Sequence, residues 1–538
     1  MPSTQPFALR APRLTALAAA SALLFAGPPA FATGPAVASS SEYALRLAQR
    51  VLPRPVVTGL HTSGKTPRAV LPVTSCADDG SDGTLRQVLS IAGEGDTIDL
   101  GGLTCGTITL TQGKLDISAL GDHPVYDLTL QGPGHGALAI DGNGGRVLSA
   151  GAFEVGFGTL TIADLAIRNG VSTAGLAACI RTSGNVVLER VVIDDCHASG
   201  GNPLTFGGAL DVSGDLTLVD STLSGSSASA AGDAVADGGG AYVAGNVVLT
   251  RSIVSGNSVT SEAAGDGRHY LAAGGGLYVR SALDAEYSTI ADNQATSPTG
   301  QAVIGGGIFV RGNATVAAST ISGNSAHDGS GGGIFKGVFS NYGDPGSSLV
   351  LTDSTLAGNA AATGGAVATQ RPLTATGATI AFNAATAGAG GIAVVTTGEP
   401  YAVAGLTLDS TIAADSGDGI GGATDDLASD VPVSVGGAHD LIMAASAAVT
   451  PPPETLAYDP LLQPLANNGG PTLTLSLATG SPALDAGSNP TARDYDQRGP
   501  GFPRLCGTSP DIGAFEACAT VDDVIFFDGF DGGATPTP

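Results

Sequence analysis

At 538 residues with a formal net charge of −26, the chain is long enough to bury a large core. It is too acidic for nucleic acid, anionic lipid or polyanionic sugars to be its main partners, since each needs a basic surface. Its 81 glycines and 13% charged residues are interleaved with Val, Ile and Leu, which disordered low-complexity chains lack, so a folded protein is expected.

The N-terminus reads as a secretory signal over residues 1–32. Arg10 and Arg13 precede an apolar run from Leu14 to Ala26, and Ala30-Phe31-Ala32 supplies small residues for cleavage. A membrane anchor is the competing reading, but the run is too short to span. No other stretch is apolar enough to span, so a soluble or surface-associated mature chain is expected. Six cysteines fit an oxidising compartment. Proximity in sequence pairs Cys76 with Cys105, Cys179 with Cys196 and Cys506 with Cys518. Metal binding is the lesser reading, because no C-x-x-C spacing occurs.

Residues 33–72 are polar and Pro-rich and read as a linker, with one helical patch at Tyr43 to Val51. Leu85, Val88, Leu89 and Ala92 then recur at helical spacing, and a strand follows at Thr97 to Leu100. A short amphipathic helix ahead of an array of strands is what a solenoid needs to cover its first rung. Short apolar strands succeed one another, as in "LTLQG", "LAIDG", "LTIADLAIRNG" and "NVVLERVVIDDC".

From about residue 200 a repeat can be measured on Gly208, Gly240, Gly276, Gly307, Gly333, Gly365 and Gly391, with gaps of 32, 36, 31, 26, 32 and 26 residues. The distance from the Gly to a closing Asn is steadier. It is 17 for Gly240–Asn257, Gly276–Asn293 and Gly307–Asn324, 18 for Gly365–Asn383, and 26 for Gly333–Asn359, where "GVFSNYGDPGS" reads as an inserted loop. Periods of this size mean a solenoid, and Gly, β-branched residues and Asn argue against a helical one. Strand-turn-strand rungs stacked about 4.8 Å apart make a parallel β-helix, here of about a dozen rungs and roughly 55–60 Å. The glycines supply positive φ at corners, and the Asn residues tolerate the left-handed region and can stack as a ladder.

These units resemble those of the pectate-lyase-like superfamily of right-handed parallel β-helices, and "GGGI/GGAV…N" is similar to the repeats of polymorphic outer-membrane proteins, over roughly residues 75–420. The resemblance implies an all-β, right-handed parallel β-helix, placed at 73–440 with its short N-terminal capping helix. It implies no single activity, because the fold hosts lyases, hydrolases, adhesins and spacers. A second resemblance, over about 456–516, rests on "DPLLQPLANNGGPTLTLSLATGSPALDAGS" and "DQRGPGFPR…PDIGAFE". It is to the choice-of-anchor module of exported bacterial β-helix proteins, which sets a module at 441–518 and a tail at 519–538. There "DDVIFFDGFD" resembles a short sorting tag, with Asp531 near its close. The remaining length shows no series of alternating ten-residue strands, so a translocating barrel of its own is not expected.

Chemistry has few candidates. Asp194, Asp195 and His197 in "IDDCH" combine paired carboxylates with a His, as glycoside hydrolysis needs. Asp195, however, falls where the preceding unit has Asn169, so a structural turn is the stronger reading. Gly134-His135-Gly136 reads as a Gly-rich corner. A lyase needs a basic residue beside a carboxylate, yet only Lys65, Lys114 and Lys336 occur. No metal site or cofactor is expected, although the acidity permits Ca²⁺. Two residues past the glycines stand Tyr242, Tyr278, Phe309 and Phe335, flanked by aliphatics, with Arg280 and Arg311 on the same face. If the aliphatics point inward, the rings form an outward ladder suited to sugar rings or a protein partner. Otherwise they fill the core or lie under loops. The balance falls on an exported, monomeric, non-catalytic adhesin or binding scaffold at the cell surface or beyond, with a polysaccharide or surface ligand. A polysaccharide lyase or glycoside hydrolase and an inert spacer are the alternatives.

Overall fold

The computed structural model describes residues 69–518 apart from 118–126, 152–156, 201–203, 232–233, 263–271, 301, 338–345, 397–404 and 418–424. The expected signal segment, nearly all of the expected linker with its helical patch, most of the expected inserted loop and the expected tail lie outside them. The chain is a right-handed parallel β-helix: every strand pairs in parallel with its counterpart one rung away, and crossovers between parallel strands take the right hand. A full rung passes through four sheets, here I to IV in chain order; the first rungs lack a strand in III. Among the described residues sheet I has 14 strands, II and III have 12 each, and IV has 11.

One rung shows the logic. Val247–Thr250 lies in sheet I, Ile253–Ser255 in II, Ser258–Ser261 and Ala272–Ala273 in III, and Leu277–Val279 in IV. Alternation puts Val247, Leu249, Val254, Leu277 and Val279 into one continuous core. Sheet III has two tiers, one after the Asn and one before the glycines. Both pair with the single strand Ser325–Ser330. Loops between the tiers absorb the variable length of the repeat.

The N-terminal rung is covered by α1, Leu85–Ile91, which buries Leu85, Val88 and Leu89 and is N-capped by Thr84. Structure begins inside the expected linker, because Val70–Pro72 pairs with Thr97–Asp99 as the first strand of sheet I. At the other end Leu441–Ile442 and Val449–Thr450 still add to sheets II and I, so the coil runs past residue 440.

The rung corners are more specialised than the repeat suggests. The first glycine of each triplet takes the positive φ, as at Gly238, Gly274 and Gly305. The second is needed for closeness: a Cβ on Gly239 would strike the Gly275 carbonyl of the next rung. The residue before the Asn takes the other left-handed corner, whether Gly256, Asp292, Gly323, Gly358 or Phe382. The Asn itself is buried. Asn257, Asn293, Asn324 and Asn359 each donate from backbone N to the Oδ1 of the Asn one rung on, at 3.0–3.1 Å, ending at Asn383. A parallel serine ladder runs through Ser221, Ser252, Ser288, Ser319 and Ser354.

The three disulfides join Cys76 to Cys105, Cys179 to Cys196 and Cys506 to Cys518. Strand register gives the middle one a place in the repeat. Ile180 pairs with Leu210 and Leu210 with Ala241, so Cys179 stands where Gly240 does. His197 pairs with Ser227 and Ser227 with Ser258, so Cys196 stands where Asn257 does. Those two positions face each other across the rung: a Cβ on Gly240 would lie 3.1 Å from the Asn257 amide carbon. The disulfide takes over the Gly–Asn contact.

The C-terminal segment folds back on sheet II. Gln497 Nε2 donates to Thr320 Oγ1 and to Thr472 Oγ1, both at 3.0 Å, and Thr355 Oγ1 donates to Gln497 Oε1 at 2.6 Å. Ala514 N donates to Thr379 Oγ1 at 2.9 Å. Thr320, Thr355 and Thr379 are in register on successive rungs. Ala483 and Ile512 pack with Ile412, Ala414 and Leu441, and Leu475 with Ala357 and Ala381. Thus "DQRG" and "PDIGAFE" supply much of the contact with the coil.

Candidate functional site

The "IDDCH" residues occupy a corner. Asp195 has φ 56° and its Oδ1 lies 2.7 Å from His197 Nε2, while His197 Nδ1 lies 2.8 Å from Ser227 Oγ. Asp194 accepts from Ser224 Oγ at 2.7 Å. Asn169 and Asp195 share the left-handed conformation on adjacent rungs. These groups tie neighbouring turns together.

The aromatic residues form a column, and the column is covered. Phe206, Tyr242, Tyr278, Phe309 and Phe335 stack with centroid separations of 4.4, 5.2, 4.6 and 6.0 Å. The flanking aliphatics enter the central core, so the rings do point away from it. They lie instead in a cluster of their own with Ala273, Ile304 and Ala368. Tyr242 is 9%, Tyr278 5%, Phe309 0% and Phe335 3% exposed. The second tier of sheet III folds over sheet IV, which turns the expected solvent-facing ladder into a filled seam. Arg280 is exposed at its edge and donates to the Tyr242 hydroxyl at 3.4 Å. Arg311 is half-buried, and its Nε has no hydrogen-bond partner.

At the N-terminal head of the column the side chains change from apolar to charged. On sheet IV the register runs Arg181, Asp211, Tyr242, Tyr278. On sheet III it runs Phe206, Asp237, Ala273. Arg181 Nε lies 3.4 Å from Asp211 Oδ2. Burial pushes the Asp211 carboxyl up to about 6, opposed by Arg181 and Arg146. Asp237 is 5% exposed, its Oδ1 has no hydrogen-bond partner, and burial pushes it up to about 8 against the pull of Arg280. Burial also raises Tyr242, with smaller effects from Arg280, Asp237 and Asp211.

A repeat counted from Gly208 hides Asp211, because Leu210 pairs with Ala241 and Ala209 is therefore the equivalent of Gly240. Moved by one residue, Asp211 falls in the aromatic column. Asp237 is legible as the one carboxylate in the preglycine position that Phe206, Ala273, Ile304 and Ser330 otherwise fill.

A different surface stays open. The central outward row of sheet I runs Thr97, Thr129, Thr161, Val187, Thr217, Val248, Asp284, Thr315, Val350, Thr374, Thr407 and Gly436 in unbroken register. Every member is half-buried or exposed, and Asp284 alone is charged. In the C-terminal segment a cleft of about 860 Å³ is lined by Asn468, Asp485, Arg498, Phe502, Phe515 and Glu516 among others. Its polar groups are engaged. Arg498 lies 4.2 and 3.9 Å from the Phe502 and Phe515 ring centres and pairs with Asp496 at 2.6 Å. Glu516 accepts from the Cys506 and Asp511 amides.

Among the described residues no group of three or more His, Cys, Asp or Glu is placed to hold a metal, and no helix is long and apolar enough to cross a membrane. No family model and no curated protein matches the chain. Among solved structures it is similar to the crystal structure of pectate lyase Pel9A, with 14% identity, 85% of this chain and 98% of that chain covered, and a TM-score of 0.32.

Proposed function

We propose that the chain is an exported, non-catalytic binding scaffold, acting at the cell surface or in the medium, and that it holds a neutral carbohydrate polymer along the outer face of sheet I. The observation that carries this reading is the Thr/Val row, twelve rungs long with a single charge. Threonine offers a hydroxyl that donates and accepts, beside a methyl that packs on C–H surface. Repeated at the strand spacing of about 4.8 Å, such groups suit a polymer that repeats its own hydroxyls. The near absence of charge in the row, within a chain of net charge −26, favours a neutral polymer. The secretory N-terminus and the disulfides support export.

The test is a panel of insoluble neutral polysaccharides, followed for retention of the protein and for release of new chain ends. Retention without release is expected. Thr315→Lys with Thr374→Lys should reduce retention about tenfold or more, because each puts a solvated charge into the contact. Both positions are outside the core, so the fold should survive. Release of new ends would replace this reading with a polysaccharide-cleaving enzyme, and retention by no polymer would leave a spacer.

A further inference from the structure

Beside the Thr/Val row, sheet I carries a second outward column whose side chains are held in place. It stands two residues before the row, hence on the same face, and runs Asn185, Asp215, Asn246, Ala282, Asn313, Ser348 in register. Its Asn and Asp members lie along the coil axis, because each gives its Oδ1 to a backbone N–H of the next rung. Asp215 N donates to Asn185 at 2.9 Å, Asn246 N to Asp215 at 2.7 Å, Ala282 N to Asn246 at 3.2 Å and Ser348 N to Asn313 at 3.1 Å. With the oxygen committed, each Asn keeps its Nδ2 as a donor. Asn246 spends one N–H on Asp215 Oδ1 at 3.1 Å and has a second. Asn185 and Asn313 make no hydrogen bond through Nδ2 among the described residues. Asn185 is half-buried, and Asn246 and Asn313 are exposed, so a ligand on the outer face can reach them.

The donors therefore recur on every second rung, with a carboxylate and then a methyl on the rungs between. The charged side chains of this face over the same rungs are Glu189, Asp215, Asp284 and Glu286. All are carboxylates, which repel polymers of uronic acids.

We infer that the polymer held by sheet I is an extended β-1,4-linked chain of neutral sugars lying along the coil axis, with its register fixed by Asn185, Asn246 and Asn313. This rests on the carbohydrate-binding reading of the row and narrows it. In such a chain both linkage bonds are equatorial, so the sugars run nearly straight, each turned over relative to the last. A given hydroxyl thus returns to the same edge on every second sugar. Each sugar lengthens the chain by close to one rung, about 4.8 Å, so the two-sugar repeat of the ribbon meets the two-rung repeat of the Asn donors. The C–H face of the ribbon packs on Val187, Val248 and the threonine methyls of the row, while each Nδ2 donates to a hydroxyl oxygen at the edge. An α-1,4 chain, axial at its anomeric bond, curls off a straight track.

The experiment measures retention of the full-length chain on cellulose, chitin and starch granules. Retention on cellulose or chitin should exceed that on starch at least tenfold. Asn185→Ala with Asn313→Ala installs a residue the coil already carries at 282. Retention should then fall about tenfold while the melting temperature stays far above that of the assay. Ala282→Asn adds a donor on an intervening rung, where the sugar turns its hydroxyl to the other edge, so retention should not rise. Equal or stronger retention on starch, full retention in the double Ala variant, or a gain of about threefold in Ala282→Asn would overturn this inference and leave polymer binding standing. Retention by no polymer would instead remove the reading on which it rests.

Discussion

At the scale of the residue, the repeated Asn is a structural part with two jobs. Asn324 accepts at Oδ1 from the backbone and side-chain nitrogens of Asn293. Its own Nδ2 donates to the Ile290 carbonyl and to Asn359. Asn324→Ala would leave a buried N–H and a buried carbonyl without partners inside a water-free corner. Unfolding in urea should show a loss of about 2–4 kcal/mol, and an unchanged midpoint would show that the ladder is ornamental. Phe309 makes a parallel case. It is fully buried between Tyr278 and Phe335, so Phe309→Ala should cost about 3–5 kcal/mol through the cavity it leaves. If the variant keeps its stability and loses only ligand binding, the seam is open in solution. The cysteine pair at 179 and 196 obeys the same positional rule as Gly and Asn, which is why one covalent link can sit in the coil without distorting a strand.

At the scale of the element, periodicity made the strands, the capping helix and the corners legible, because a rung must turn at the same height as its neighbours. Three things were not. The span of 18 from Gly365 to Asn383 reflects a register shift: Gly333 corresponds to Ala366, since Ile334 pairs with Val367, and counting from Ala366 restores 17. Ala can stand at the third place of the triplet, so glycine there is a preference and a poor ruler. The folding of sheet III over sheet IV was equally hidden, because alternation fixes which way Phe309 points and says nothing of what lies beyond it. The C-terminal segment also conceals its partner. Its contacts with Thr320, Thr355 and Thr379 span well over a hundred residues of sequence, and Thr in a strand signals nothing by itself. Gln497→Leu removes four hydrogen bonds, two to Thr320 and Thr355 of the coil and two to Thr472 and Leu473 within the segment. Amide exchange should then speed up over 456–516 and on the sheet II strands beneath, while the rungs before residue 250 keep their protection. Uniform acceleration along the coil would mean that the segment is part of one cooperative unit.

At the scale of the whole molecule, burial of carboxyls sets how stability follows pH. Asp237 is pushed up to about 8, Asp426, Asp440 and Glu516 to about 7, and Asp211 and Asp353 to about 6, with burial the largest cause each time. In the unfolded chain these groups titrate near 4. Between that value and the folded one, the native state binds more protons than the unfolded state, so stability falls as pH rises. The contribution is fully present below pH 4 and is lost through pH 6–8, each group costing about 1.4 kcal/mol per pH unit across its interval. Asp78 and Asp164 act in the opposite sense. Hydrogen bonds from Arg86 and backbone amides, and from Arg190, hold them below their ordinary value despite burial, so their stabilisation is lost only in stronger acid. Self-repulsion within a chain of net charge −26 adds to the alkaline loss. The melting temperature should therefore be highest in mildly acidic buffer and should fall between pH 5 and 9. Asp237→Asn removes the step that titrates last, so the slope above pH 7 should become shallower in that variant. A melting temperature that holds level or climbs over this range would show that the buried carboxyls ionise at ordinary values, with solvent reaching them in the folded coil.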